Sequence, residues 1–270
     1  MDVTDVLADL RADLIAEQQT LDDIVAGLDA TQWQLSTPSP GWTIADQIGH
    51  LTYFDGTAAL AVVDPPAFQE AMTSLLSSGG AGDQSADDVV LGPYRAMTPD
   101  QLLASWRANR AALASAGETM ENDTRVAWYG PSMGAKSFLT ARLMEAWAHG
   151  QDIVDTLGAA RPATDRLRHI AQLGFITRGW TYMNRGLDVP TSPVRAELEL
   201  PSGEVLRFGP DDAQQSIVGP ALDVCLVTTQ RRHVDDTSLV VTGDSARDWM
   251  EKAQLFAGPA SDGPPPRPSP

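Results

Sequence analysis

The stretch ARLMEAWAHGQDIVD, residues 141–155, combines the apolar spacing of a buried helix with two side chains that can bind a metal ion. Leu143 and Trp147 are spaced as they would be on one helix face and predict a face turned toward a core. Glu145 and His149 are also four residues apart, so on a helix they share one face. Such a pair can bind one metal ion when a third ligand comes from another helix.

Two interpretations of this pair are open. As an ion pair on a solvated helix face, Glu145 and His149 would contribute little to stability. The Trp and Met neighbours favour burial instead, where an unpaired carboxylate would be costly. His50 lies in a second apolar stretch, IGHLTYF, and by itself it would be interpreted as a hydrogen-bonded core residue. Together, His50, Glu145 and His149 match a three-ligand catalytic zinc site with an open position for water or substrate.

Charged residues flank the pair on the same helix stripe. Arg142 lies three residues before the glutamate, and Asp152 lies three residues after His149. Asp152 could accept a hydrogen bond from the imidazole and orient it, and Arg142 could hold an anionic group of a substrate. Asp46, four residues before His50, could orient that histidine in the same way. For all three residues, ordinary pairing with other charges on the helix is the alternative.

The apolar periodicity changes along the chain from helical to alternating. Spacings of three and four predict helices first, and Thr43 with Asp46 predicts an N-terminal cap. Beyond residues 187–194, alternation about Ser202-Gly203 predicts a β-hairpin. The other expected elements are helices over 5–28, 43–62, 98–116, 165–184, 219–232 and 246–258, loops over 77–88 and 129–137, and a strand over 238–244.

These patterns predict a mainly α protein with two domains. A helical domain occupies residues 1–190, and a small domain that combines strands and helices occupies residues 191–260. The Pro-rich tail over residues 261–270 can form neither a ladder nor a helix and is expected to be disordered. No internal repeat is visible.

The composition excludes several classes of function. No run approaches the ~18–20 consecutive apolar residues of a membrane span, and MDVTDVLADLRADL is acidic and amphipathic, whereas a signal peptide is basic and then apolar. We therefore expect a cytoplasmic protein with no membrane partner. The formal charge of −17 on 270 residues argues against a nucleic-acid partner, because phosphate contacts need clustered Lys and Arg.

Cys225 is the only cysteine in the sequence. This excludes an intrachain disulfide and a cysteine-cluster metal site, and its apolar neighbours predict a packed core thiol rather than a nucleophile. Only Lys136 and Lys252 are lysines among 19 basic residues, while Ala, Asp, Gly and Pro abound. Such a bias is typical of a high-GC genome and indicates an actinobacterial source.

Two motifs carry a family resemblance. TPSPGWTIADQIGHLTYFD, residues 37–55, together with residues 141–155 resembles the DinB-like superfamily, and within it the mycothiol-dependent maleylpyruvate isomerase type and its actinobacterial metal-binding proteins. The resemblance implies an up-down-down-up four-helix bundle. It also implies a divalent metal, zinc by default with nickel or iron as alternatives, held by His50, Glu145 and His149.

The resemblance extends past the bundle. Residues 216–258 are similar to the small α/β C-terminal domain of the isomerase type, in which an arginine after the buried helix has been linked to activity. Arg231 is the nearest match and is implied as a catalytic and cofactor-binding residue, with Arg232 beside it as the alternative register.

Several functions fit this resemblance. The first is a metal-dependent isomerase or thiol S-transferase that acts on a small electrophilic metabolite, with mycothiol as the thiol that the metal acidifies. A metal-dependent isomerase, cyclase or hydrolase that uses no thiol is the alternative. A non-catalytic protein that binds a metal or a small ligand belongs to a different class. The sequence specifies neither the substrate nor an oligomeric state.

Overall fold

The computed structural model describes residues 6–78, 86–130 and 132–268, and the expected mainly α fold with a small sheet is confirmed within them. The helices of these ranges are α1 (Val6–Val25), α2 (Ile44–Val63), α3 (Pro65–Ser78), α4 (Ala86–Arg95), α5 (Pro99–Glu118), α6 (Ala135–Leu157), α7 (Leu167–Ile176), α8 (Arg178–Met183), α9 (Ala221–Thr228) and α10 (Asp244–Lys252). Across the described ranges, no helix combines the length and apolar character needed to cross a membrane.

The chain divides into two compact units, Met1–Ala160 and Arg161–Pro270. The sequence analysis places the boundary near residue 190, and the structure instead places it after Ala160. The physical reason is that α7 packs against α9, so the helical segment after α6 belongs with the second unit.

Four long helices form the core of the first unit. α1 packs on α5 and α6, and α2 packs on the same two helices. Leu21 of α1, Ile48 of α2, Trp106 of α5 and Ile153 of α6 lie in one buried apolar cluster. Their spacing follows the apolar stripes of the sequence, and burying these stripes is what stabilises helices of this length.

The predicted cap at the start of α2 is confirmed. The hydroxyl of Thr43 accepts a hydrogen bond from the backbone N–H of Asp46 at 3.2 Å, and the Asp46 carboxylate accepts one from the backbone N–H of Thr43 at 2.9 Å. This reciprocal pair satisfies two backbone donors that a helix start leaves free. The cap therefore fixes where α2 begins and, two turns later, where His50 lies.

The segment between α2 and α5 contains two helices that the sequence analysis missed. α3 runs to Ser78 and α4 begins at Ala86, so the loop predicted over residues 77–88 is helical at both edges. The centre of that predicted loop, residues 79–85, lies outside the described residues. A further short ladder, β1 (Arg125–Val126) antiparallel to β2 (Met133–Gly134), precedes α6.

The second unit contains a four-stranded mixed sheet. The strands are β3 (Val194–Glu199), β4 (Val205–Phe208), β5 (Gln215–Pro220) and β6 (Val240–Thr242), in the order β4-β3-β5-β6. β3 and β4 form the predicted hairpin, with Leu198 opposite Leu206. β5 was not predicted, and it pairs parallel to β3 and antiparallel to β6.

The helix predicted over residues 165–184 is interrupted. α7 ends at Ile176 and α8 begins at Arg178, with Thr177 between them at φ −90° and ψ 10°. The Thr177 hydroxyl donates hydrogen bonds to the carbonyl oxygens of Leu173 at 2.7 Å and Gly174 at 3.2 Å. A hydroxyl that is hydrogen-bonded to carbonyl oxygens of the preceding turn competes with the backbone N–H groups of the helix. This competition explains the break between α7 and α8.

Residues 261–268 have no helix or strand, as their prolines dictate, yet the segment carries hydrogen bonds to the rest of its unit. The backbone N–H of Ser261 donates to the Gln254 side chain at 3.1 Å, and Arg185 pairs with Asp262 at 2.8 Å. The tail expected to be disordered is thus bonded to residues that follow α8 and α10, and the backbone N–H of Arg267 also donates to the Asp236 carboxylate at 3.0 Å.

Candidate metal centre

His50, Glu145 and His149 come together in the first unit as the sequence analysis expects. Their ligand atoms all lie within 4.8 Å of one another. The Glu145 Oε2 atom is 3.3 Å from His50 Nε2 and 3.1 Å from His149 Nε2. Two imidazole nitrogens and one carboxylate oxygen therefore converge on one point, which is the donor set that zinc and related divalent ions bind.

The three side chains are neither fully exposed nor fully enclosed. Exposed fractions of 17% for His50, 22% for Glu145 and 11% for His149 leave each side chain partly accessible. His50 lies on α2, and Glu145 and His149 lie on α6. These side chains meet because α2 packs against α6. A ligand bound at this point could therefore be reached by a small molecule.

The second nitrogen of the His149 ring has a defined partner. His149 Nδ1 is hydrogen-bonded to Oε1 of Gln47, a fully buried residue of α2. The Gln47 amide nitrogen in turn donates to the Thr37 hydroxyl at 2.9 Å. Orienting the imidazole was one of the two roles considered for Asp152, and in the structure the partner of His149 Nδ1 is Gln47. Asp152 instead accepts a hydrogen bond from the Ser39 hydroxyl at 3.2 Å.

Burial and charge tune the protonation of the cluster. Burial, reinforced by the nearby charge on His149, lowers the pKa of His50 to about 4. Burial alone would raise the pKa of the Glu145 carboxyl, but its contacts with His149 and His50 and the charge of Arg142 hold that pKa well below its usual range. At neutral pH, His50 is neutral and Glu145 is charged, which is the protonation state a metal ligand requires.

Arg142 is buried beside the cluster. Its Nη2 atom lies 3.7 Å from Glu145 Oε2, and its side chain is only 5% exposed. The guanidinium also lies over the rings of Phe54 and Trp128, at 5.8 Å and 5.7 Å from their centroids. Of the two roles considered for Arg142, the structure shows pairing with the carboxylate; a contact with substrate stays a prediction.

Aromatic rings flank the two histidines. The Trp42 ring is centred 5.2 Å from the His50 ring and stacks on His149 at 5.9 Å. Phe54 packs against His50 at 4.5 Å and contacts Tyr129 at 5.5 Å. These rings exclude water from the sides of the imidazoles, and electrostatic interactions are stronger where water is excluded.

The remaining residues proposed from the sequence have other contacts. Asp46 caps α2 and accepts a hydrogen bond from Arg95 Nε at 2.7 Å, which is the structural role considered for it. Cys225 is fully buried, and burial raises the pKa of its thiol, as expected for a core residue. Arg231 follows α9 in the second unit, where its guanidinium donates to the carbonyl of Thr229 at 2.6 Å. Its part in a reaction stays a prediction.

A second buried carboxylate lies near the cluster and was not singled out from the sequence. Asp55 of α2 is 1% exposed and accepts hydrogen bonds from Gln18 at 2.9 Å and from the Trp106 indole at 3.1 Å. Burial raises the pKa of Asp55 to about 6, although the charge of Arg142 and both hydrogen bonds oppose the increase. At neutral pH, Asp55 therefore carries a charge that its burial in the bundle core disfavours.

Similarity to other proteins extends over most of the chain. Two proteins from different strains of Mycobacterium tuberculosis, each described as uncharacterized, are 44% identical over 253 residues, covering 93% of this chain and 96% of theirs. Two crystal structures of the mycothiol-dependent maleylpyruvate isomerase, one of a histidine-to-alanine mutant, share the fold. Each has a TM-score of 0.55 and 18% identity; one covers 85% of this chain and 90% of its own, and the other 87% and 92%.

The bundle itself carries the family assignment. Residues 14–154 match the family described as the mycothiol maleylpyruvate isomerase N-terminal domain, and this range contains α2, α6 and all three converging side chains. With slightly more than half of the 270 residues inside this match, the chain belongs to the mycothiol maleylpyruvate isomerase N-terminal domain family.

Proposed function

We propose that this protein is a metal-dependent enzyme that binds a low-molecular-weight thiol, mycothiol, and uses it to isomerise or to modify a small electrophilic substrate. The divalent ion, zinc by default, is held by His50, Glu145 and His149. The family membership supports the thiol and the reaction class, and the geometry of the three side chains supports the ion.

One observation carries the proposal. Two imidazole Nε2 atoms lie 3.1 Å and 3.3 Å from the same carboxylate oxygen, and the Nδ1 atom of His149 is already bonded to Gln47. A neutral His149 whose Nδ1–H donates a hydrogen bond to Gln47 Oε1 turns its Nε2 lone pair toward the negative Glu145. Two electron-rich atoms at this distance repel unless a cation lies between them. The residues therefore fit a divalent ion.

The chemistry follows from the ligand set. A divalent ion held by His50, Glu145 and His149 would lower the pKa of a small-molecule thiol that binds to it, which would favour the thiolate at neutral pH. His50 and His149 would supply two nitrogen ligands, and Arg142, 3.7 Å from Glu145 Oε2, offsets the charge of that carboxylate. Trp42 and Phe54 exclude water beside the imidazoles.

The protein's own thiol does not compete with a thiol cofactor. Cys225 is fully buried in α9, and burial raises the pKa of its thiol, so the thiolate is scarce at neutral pH. The nucleophile must then come from a bound small molecule. We assign Arg231 the role of holding an anionic part of that cofactor or of the substrate, since a guanidinium binds carboxylate and phosphate in a forked geometry.

Calorimetric titration of mycothiol into the zinc-loaded protein tests this function. We expect saturable binding to the wild type and a loss of at least about tenfold in affinity for Arg231→Ala, equal to about 1.4 kcal/mol. For His50→Ala, which removes a ligand, binding is expected to disappear. Arg247→Ala is the matched control, because Arg247 is an exposed arginine of the same unit that pairs with Asp235 and Glu251.

The outcomes separate the candidate functions. No binding of mycothiol to the intact zinc protein would eliminate the thiol mechanism and leave the thiol-free metal enzyme as the better candidate. Equal loss in Arg231→Ala and Arg247→Ala would remove the specific role of Arg231. Binding without turnover of any electrophile would favour a non-catalytic binding protein.

A further inference from the structure

We propose that Gln47 is a positioning residue that fixes the tautomer and ring orientation of His149, and that it does so with an uncharged amide. This inference rests on the metal site of the proposed function. Gln47 lies one helical turn before His50 on α2, so a single helix supplies both a ligand and the group that orients another ligand on α6.

The direction of each hydrogen bond around Gln47 is determined by its neighbours. The Thr37 hydroxyl lies 3.0 Å from the carbonyl oxygen of Trp42, and a carbonyl can only accept, so Thr37 donates its one proton there. The contact of 2.9 Å between Thr37 and Gln47 must then be donated by the Gln47 amide nitrogen. The Gln47 oxygen is thereby turned toward His149.

This orientation decides the state of the His149 ring. An amide oxygen accepts, so His149 Nδ1 must carry a proton, and in the neutral ring the Nε2 lone pair then lies on the side of Glu145 and His50. If the amide were reversed, Nδ1 would become the acceptor and Nε2 would carry the proton, which would block the ligand position. The orientation of this one buried amide thus determines whether the His149 ring can bind a metal through Nε2.

The far end of the hydrogen-bond chain is itself fixed. Residues 36–42 form a tight loop in which the backbone N–H of Thr37 also donates to the Trp42 carbonyl at 2.8 Å. Gly41 adopts φ 78°, a left-handed conformation that suits glycine. The same loop therefore reaches His149 in two ways: directly through the Trp42 ring, and indirectly through the Thr37 hydroxyl and Gln47.

The choice of an amide has a consequence for the charge of the site. Metal-bound histidines commonly donate their second N–H to a carboxylate, which makes the imidazole more basic and adds negative charge. With Gln47 as acceptor, Glu145 is the only ligand that contributes a negative charge. A divalent ion at this site would then keep more of its positive charge, which would favour ionisation of a bound thiol or water.

Two substitutions at one position separate this role from simple core packing. Gln47→Met keeps the volume and removes the acceptor, whereas Gln47→Glu keeps an acceptor of the same shape. If Gln47 positions His149, zinc affinity measured by competition with a chelator falls about 10- to 100-fold in the Met variant. In the Glu variant it stays at or above the wild-type value. If Gln47 only fills the core, the order reverses, because methionine is tolerated in a core and a buried carboxylate is not.

A spectroscopic measurement on the metal-free protein gives an independent readout. Imidazole 15N shifts, assigned with His149→Ala, should show a single Nδ1–H tautomer for His149 in the wild type and a mixture in Gln47→Met. Thr37→Val leaves Gln47 in place but removes the partner that orients it, so a second tautomer and a smaller loss of affinity are expected. Gln151→Met is the matched control, because Gln151 lies on α6 and bonds to Asp155 at 2.9 Å.

The outcomes distinguish this inference from the proposed function. If the wild type binds no divalent metal, the proposed function fails, while the tautomer of His149 in the wild type and in Thr37→Val still decides the role of Gln47. If the wild type binds zinc and Gln47→Met retains both the affinity and the single tautomer, the inference is overturned. Should the Met variant fail to fold, an unchanged tautomer in Thr37→Val overturns it equally.

Discussion

Replacing His149 by alanine is expected to remove the stoichiometric divalent ion from the purified protein. The substitution deletes one of three converging ligands and leaves His50 and Glu145 alone at the site. Loss of a group that merely orients a ligand reduces metal affinity about 10- to 100-fold, so loss of a ligand should exceed about 100-fold. Both proteins are loaded with the metal and dialysed to remove unbound ions, and elemental analysis then measures the bound metal. About one ion per chain is expected for the wild type.

A matched substitution guards against unspecific effects. His169→Ala removes a histidine from α7, in the second unit, and should leave the metal content unchanged. Full stoichiometric metal in His149→Ala would disprove the site. Nickel or iron in the wild type would change only the identity of the ion, because two nitrogens and one oxygen suit several divalent ions.

The pairing of Glu145 with His149 could be predicted because it depends only on helical periodicity. Any helix with this spacing places the two side chains on one face, and the apolar neighbours indicate which way the face turns. His50 is 95 residues away from Glu145 along the chain. Its convergence with the pair depends on how α2 packs against α6, and the resemblance of the two motifs supplied that information where spacing could not.

Gln47 shows where a usable signal was present and overlooked. It lies three residues before His50, and residues at this spacing share a helix face, so a polar side chain there faces the same neighbours as the histidine. Asp152 was considered for this role because carboxylates are common partners of metal-bound imidazoles. In the structure, the Asp152 carboxylate accepts a hydrogen bond from the hydroxyl of Ser39, which lies in the loop before α2.

Other features depend on contacts that no local pattern contains. β5 ends in Gly219-Pro220, which the sequence analysis assigns to the start of a helix over residues 219–232. The strand conformation comes from parallel pairing with β3 and antiparallel pairing with β6. The boundary between the units was placed too late because a change from helical to alternating periodicity marks a change of element. It does not mark which helices pack together, and α7 packs with α9.

Asp55→Asn is expected to stabilise the metal-free protein at pH 8 and to flatten its pH dependence. Burial raises the pKa of Asp55 from an ordinary 3.8 to about 6, so the folded protein binds a proton between these values that the unfolded chain has released. Wild-type stability therefore falls as pH rises from about 4 to 6. The two pKa values differ by an amount worth about 3 kcal/mol, which sets the upper limit of the gain at pH 8.

Denaturant unfolding of both proteins at several pH values between 4 and 8, with a chelator present, measures this difference. Since His50 and His149 are present in both proteins, their titration contributes equally and is removed by subtraction. Asparagine can still accept from Gln18 and Trp106 through its amide oxygen, so both buried donors keep their partner. Asp100→Asn, an exposed carboxylate on α5, should change stability by less than about 0.5 kcal/mol at every pH.

The sign of the result tells what Asp55 does. A gain that grows from pH 4 to pH 6 and then stays constant means that the carboxylate is held charged in the core at the expense of stability. A protein keeps such a charge where it serves a site, and here Asp55 and Glu145 both act on the buried charge of Arg142. A loss of stability at pH 8 would mean instead that attraction to Arg142 outweighs burial. The pKa of Asp55 would then lie below its ordinary value.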